Sequence, residues 1–148
     1  MKNSKVYVLC LVCVALIVSC SKTEETEPII SNSKDVTDCG ITIEPNLGVS
    51  ICLDGTDVAS PNETIKFAAS FYLRNSTPYN SGFIWTIDSG NMEIVDIEHS
   101  MDGLIRKSVA TIKFHEDFDG NGHILVDAIS ADGGGGSTEH FVELETNQ

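Results

Sequence analysis

Two groups of side chains in this 148-residue chain are spaced for chemistry. The first is Asp117-Phe118-Asp119-Gly120-Asn121-Gly122-His123-Ile124. Oxygen-bearing side chains stand at alternate positions, with glycine sixth and an apolar residue eighth, as at the opening of a calcium-binding loop. The twelfth position is Ala128, where such a loop needs a bidentate glutamate. The alternative is an Asn-Gly turn between two strands. The second group is Cys39 and Cys52. Between them, Ile41-Thr42-Ile43 and Val49-Ser50-Ile51 flank a Pro-Asn-x-Gly turn, a pattern that predicts a hairpin with both cysteines at its open end. A disulfide there closes a short loop and contributes about 3 kcal/mol. The alternative is two buried thiols; zinc would need two further ligands. His99, His115, His123 and His140 are scattered, and neither Gly-x-Ser-x-Gly nor His-Glu-x-x-His occurs. The expectation is a protein without catalytic residues, whose one candidate cofactor is calcium.

The amino terminus bears on both groups. Lys2 and Lys5 precede an apolar run, Val6 to Val18, and then Ser19 and Cys20. That is the order of a secretory signal. The run is about thirteen residues, short of the roughly twenty that span a bilayer, which is the alternative. Leu16-Ile17-Val18-Ser19-Cys20 resembles a bacterial lipobox. The resemblance implies removal of residues 1–19 and lipid on Cys20, with enough acyl chains to hold the protein on its membrane. Cys10 and Cys13 leave with the signal. Cys39 and Cys52 then remain as an even pair in an oxidising compartment. Residues 20–38 carry the lipidated cysteine and a polar, period-free stretch that reads as a flexible acidic tether. Lys22, Glu24 and Glu25 resemble the acidic signal that sends some Gram-negative lipoproteins to the outer face of the outer membrane. The alternative is an ordinary linker on a periplasm-facing lipoprotein.

The formal net charge is −13, and signal removal takes away Lys2 and Lys5 but no acid. Nucleic acid and anionic lipid are excluded as electrostatic partners. Cations, basic proteins and neutral ligands remain, and so does the plain reading of a solubilising surface.

From Ile41 onward, within a domain expected to span 39–148, the apolar pattern has period two. Ile65-Phe67-Ala69-Phe71, Phe83-Trp85-Ile87, Met92-Ile94 with Ile97, Ala110-Ile112-Phe114, Ile124-Val126-Ala128 and Val142-Leu144 each mark a strand. Turn signals separate them, among them Asp102-Gly103, Asn121-Gly122 and the loop Gly133 to Gly136. The prediction is an all-β sandwich of seven to eight antiparallel strands.

Trp85 in Gly82-Phe83-Ile84-Trp85-Thr86-Ile87, followed by Asp119-Gly120-Asn121-Gly122-His123-Ile124-Leu125-Val126, resembles immunoglobulin-like domains of the polycystic-kidney-disease type. The resemblance covers residues 41–146. It implies an immunoglobulin-like sandwich with Trp85 in the core, and spacer, adhesion or accessory roles. In such a sandwich the loop carrying Asp54 and Asp57 shares an end with the loop carrying Asp117, Asp119 and Asn121. The expectation is a weak calcium site there. Tyr72 and Tyr79, with Arg74 between them, flank a loop where aromatic rings could stack on a sugar or anchor a protein. The leading reading is a lipid-anchored, cell-surface binding or display module for glycan or protein. The alternatives are a subunit or accessory of an envelope complex for glycan uptake or adhesion, and an acidic inhibitor or immunity protein. A glycan binder should expose a pair of aromatic rings beside polar groups. A complex subunit should show a flat apolar patch on an acidic exterior.

Overall fold

The computed structural model describes residues 32–146. The signal 1–19, Cys20 and the tether up to residue 31 lie outside them. Eight strands form in chain order: β1 (Val49–Asp54), β2 (Val58–Ala59), β3 (Thr64–Leu73), β4 (Ser81–Ser89), β5 (Met92–Asp102), β6 (Ile105–Phe114), β7 (Gly122–Ser130) and β8 (Gly135–Leu144). A single 3-10 turn, Pro78–Asn80, precedes β4. Among the described residues no helix is long and apolar enough to cross a membrane.

One sheet has the order β1-β3-β6-β5 and the other β2-β8-β7-β4. This is the strand order of an immunoglobulin-like sandwich. All pairs are antiparallel except the two-residue β2, which runs parallel to β8. Alternate residues of the inner faces meet between the sheets. Ile65, Phe67 and Ala69 of β3, Ala110, Ile112 and Phe114 of β6, and Ile124 and Val126 of β7 are all within 1 % of complete burial. Trp85 joins them from β4, and its indole N–H donates to Ser108 Oγ at 3.0 Å. Phe118, in the loop after β6, turns inward and packs edge-on against Phe114.

β5 departs from a simple alternation because of a bulge between Ile94 and Asp96. Met92 and Ile94 face the core before it. Val95 is thrown outward, 50 % exposed. After it the phase shifts, so that His99 faces inward and stacks on Phe83 (centroids 6.4 Å apart). An inserted residue breaks the period-two signal, and this is why the sequence marks only a weak strand here.

Three expectations are corrected by the packing. The Cys39–Cys52 disulfide forms, but not at the mouth of a hairpin, because residues 41–43 are not a strand. Instead residues 35–48 form a strap over the outer face of the β1-β3-β6-β5 sheet. Cys52 and its cross-strand partner Ser70 point away from the core. Yet Ala68 and Ser70 are within 1 % of full burial and Tyr72 is 6 % exposed, so that face is covered. At one end of the strap Val36 N–H donates to the Lys66 carbonyl (3.0 Å) and Lys66 N–H donates to Asp35 Oδ1 (2.8 Å). In between, Asp38 pairs with Lys107 at 2.8 Å.

The stretch that reads as tether is packed at its described end. Asn32 donates to the Thr64 carbonyl, Asp35 accepts from the Lys66 N–H, and Lys34 pairs with Glu63, so these side chains cap the open start of β3. Finally, two of the four consecutive glycines belong to β8. A Cβ on Gly135 would lie 2.6 Å from the Ala128 carbonyl, and one on Gly134 the same distance from Leu73. Close packing, more than loop freedom, accounts for them.

Candidate functional site

The calcium candidates do not converge. Among the described residues no group of three or more His, Cys, Asp or Glu side chains is placed to hold a metal ion. Asp54 Oδ1 accepts from the N–H of Gly55. Asp57 lies 3.4 Å from His140. Asn121 donates its amide to Asp119 Oδ1 at 3.0 Å. A turn closed by Phe118 N–H to the His115 carbonyl (3.1 Å) delivers Phe118 to the core, and calcium is not carried forward.

The ligand candidates part company as well. Tyr72 sits within β3 beneath the strap, 6 % exposed. Arg74 is occupied in holding the strap's far end. Its Nε donates to the Leu47 carbonyl (2.8 Å), its Nη2 to the Pro45 carbonyl, and its backbone N–H to the Gly48 carbonyl (2.8 Å). Tyr79, in the 3-10 turn, is 78 % exposed. One exposed ring remains where a pair was the signature of a sugar platform.

The outer face of β4, β7 and β8 is a different surface. Its cross-strand rows follow from the register. Gly82, Ile129 and Gly135 make the first; Ile84, Asp127 and Ser137 the second; Thr86, Leu125 and Glu139 the third; His123 and Phe141 the fourth. Ile84, Ile129 and Phe141 are each more than half exposed. The Phe141 ring lies flat on the His123 ring, with centroids 4.3 Å apart and planes 7° from parallel. His123 is held at both nitrogens, Nδ1 3.0 Å from Asp88 and Nε2 3.1 Å from Glu139. Burial alone would depress its pKa, but the two carboxylates outweigh it and hold the imidazole above its ordinary value. A shallow depression of about 340 Å³ opens beside this pair, lined by Ser89, Asn121, Val142 and Glu143.

The lysines and arginine of the strands lie on one sheet, while both sheets carry acids. Lys66, Arg106, Lys107 and Lys113 all lie on β3 or β6. Strands β2, β4, β7 and β8 carry Asp88, Asp127, Glu139 and Glu143 and no lysine or arginine. The face is therefore apolar at Ile84, Leu125, Ile129 and Phe141, acidic between them, and free of basic residues other than His123. Strand alternation located Ile84, Ile129 and Phe141 on the side away from the core. Sequence reading passed over them because exposed apolar residues are common singly, and only pairing brings them onto one face.

A further ion cluster sits away from this face. Lys34 Nζ contacts Glu63 (2.8 Å) and Glu145 (2.7 Å), and Ser60 donates to both carboxylates at 2.7 Å. It pins the start of the described chain to the β2–β3 turn and to the end of β8. Burial lowers the Lys34 pKa, but hydrogen bonds to Glu145 and Glu63 more than offset it, and the value is raised. Burial likewise pushes Glu63 up, and hydrogen bonds from Lys34, Ser60 and Asn32 bring it below the usual range. The depressed carboxylate stabilises above its unfolded pKa and loses that contribution as pH falls through its folded value. The raised ammonium stabilises below its unfolded pKa and loses its share as pH rises through its folded value. The cluster therefore contributes in full between about pH 5 and pH 10. Lys34→Met should cost about 1 kcal/mol at pH 7, given partial exposure. In melts across pH, the gap between variant and parent should close below about pH 4; a constant gap would show that the charges are not its cause.

No protein-family model matches this chain, and no curated protein or solved structure matches it.

Proposed function

We propose that this chain is a lipid-anchored envelope protein whose sandwich head acts as a non-catalytic docking module for a protein partner. The observation that carries the reading is the β4-β7-β8 outer face. Ile84, Ile129 and Phe141 stand more than half exposed there, among Asp88, Asp127 and Glu139. A partly apolar sheet face on an acidic head is what a subunit or partner-binding module needs. Of the two tyrosines proposed for a sugar platform only Tyr79 is exposed, which gives that reading less support. The signal pattern and Cys20 supply the anchor, and the acidic residues after Cys20 support display on the outer face of the outer membrane. The immunoglobulin-like strand order, with Trp85 inside it, supports kinship with polycystic-kidney-disease-type spacer and adhesion domains.

Two measurements test this in the protein's own cells. Cys20→Ser should stop incorporation of labelled palmitate and move the protein out of the membrane fraction. Labelled palmitate that never enters the parent protein, with residues 1–19 still attached, removes the anchor. A photo-crosslinking residue at Ile129 or Phe141 should yield a discrete protein adduct, and one at Lys113, on the other sheet, should yield none. No adduct from the face, or equal adducts from both sheets, removes the docking role.

A further inference from the structure

β4 ends its sheet. Among the described residues nothing pairs with the edge it turns away from β7. A strand in that position presents a row of unpaired N–H and C=O groups, and proteins ordinarily protect such rows with charges, bulges, shortness or a cover. The other outer strands are protected in those ways. β5 carries Glu93, Asp96, Glu98 and Asp102 and a bulge. β2 has only two residues. β1 has six residues and ends in Asp54. β4 is nine residues long, Ser-Gly-Phe-Ile-Trp-Thr-Ile-Asp-Ser. Its one charge, Asp88, and its one irregularity, between Ile87 and Ser89, both fall at its far end.

We infer that β4 is an acceptor edge, completed by an extended cationic segment of a partner protein that adds to it as a fifth strand. The inference rests on the docking role proposed above and names how the partner is held. Main-chain hydrogen bonds would give affinity, and alternate side chains would give specificity. On one side the added strand would lie beside Ile84, which is 53 % exposed, and toward Asp88 and Asp127. On the other it would extend the partly buried edge at Phe83 and Ile87. Charge selects the occupant. The sheet it would join holds four carboxylates and no lysine or arginine. A second copy of this acidic chain would bring the same sign of charge to the contact, whereas a basic segment brings the opposite one.

The test uses the full lipidated chain in detergent micelles with an alternating Val-Lys decapeptide as probe. Amide exchange should slow along Ser81–Ser89 when the peptide binds. Methylating every backbone nitrogen of the peptide, or replacing each Lys with Glu, should weaken binding by about tenfold or more. Ile84→Lys should weaken it comparably, while Val49→Ser, exposed on the edge strand β1 of the other sheet, should leave it within about twofold. Both variants must melt as the parent does; if Ile84→Lys does not, Ile84→Thr replaces it with the same expectation. Absence of binding, equal binding of the methylated peptide, or protection that spares β4 overturns the inference. Concentration-dependent protection of β4 without peptide also overturns it, in favour of a second copy. Should β4 stay unprotected while Phe141 and Ile129 still crosslink a partner in cells, the docking role stands and only strand addition falls.

Discussion

Trp85→Ala should destabilise the head by about 3–5 kcal/mol, the largest loss expected from a single side chain here. The ring is 7 % exposed between the two sheets and packs with the shared core of Phe67, Ile112, Phe114 and Val126. Truncation opens a cavity that β4 cannot readily close, because its backbone is fixed to β7 by the register Trp85↔Val126. A second cost is chemical. The indole donates to Ser108 Oγ, and Ser108 is 1 % exposed. Trp85→Phe keeps most of the apolar volume but leaves that hydroxyl without its partner, so it should cost about 1–3 kcal/mol. Urea unfolding of both variants separates the two contributions. A loss under about 1 kcal/mol for the alanine variant would place the ring outside the load of the core and reopen a surface role for it.

Replacing both cysteines, as Cys39→Ser with Cys52→Ser, should cost about 3 kcal/mol. The bond spans a sequence separation of 13 residues, so much of its contribution comes from restricting the unfolded chain. The folded state is affected too. The disulfide is the middle fastening of the strap, between the Val36–Lys66 hydrogen bond and the Arg74 clamp. Without it, the cover over Ala68, Ser70 and Tyr72 depends on polar contacts at its ends and on Asp38–Lys107. An aspartate-specific protease should then cut first at Asp38, well before global unfolding, and reduction of the parent protein should give the same cut. Lost stability with unchanged resistance at Asp38 would show that the strap stays down without its covalent fastening.

How much of this was legible in advance differs from element to element. β3, β6 and β7 were read directly, because in each the apolar side chains that face the core recur at every second position without interruption. β5 was seen only faintly, since one bulged residue reverses the inward and outward positions after it. The strap was misread as half a hairpin: Ile41-Thr42-Ile43 alternates as a strand does, but alternation does not say whether a segment joins a sheet edge or lies across a sheet face. The Cys39–Cys52 pair was legible, because they are the two cysteines that follow Cys20 and they stand a short loop apart. The Asp117–Asn121 spacing matches the opening of a calcium loop, but in the fold Phe118 is committed to the core and Asn121 turns its amide onto Asp119.

For this protein, then, the sequence by itself determined what local pattern can carry: strands of period two, the turns between them, the cysteine pair and the acidic balance. Tertiary structure decided everything that depends on which strands are neighbours. It gathered Ile84, Ile129 and Phe141 onto one face, set His123 between Asp88 and Glu139, placed the basic residues of the strands on one sheet, and left β4 with an open edge. The physical reason is that these juxtapositions join residues far apart in the chain. Alternation fixes which side of a strand a residue faces, and only the order and register of the strands fix what it faces there.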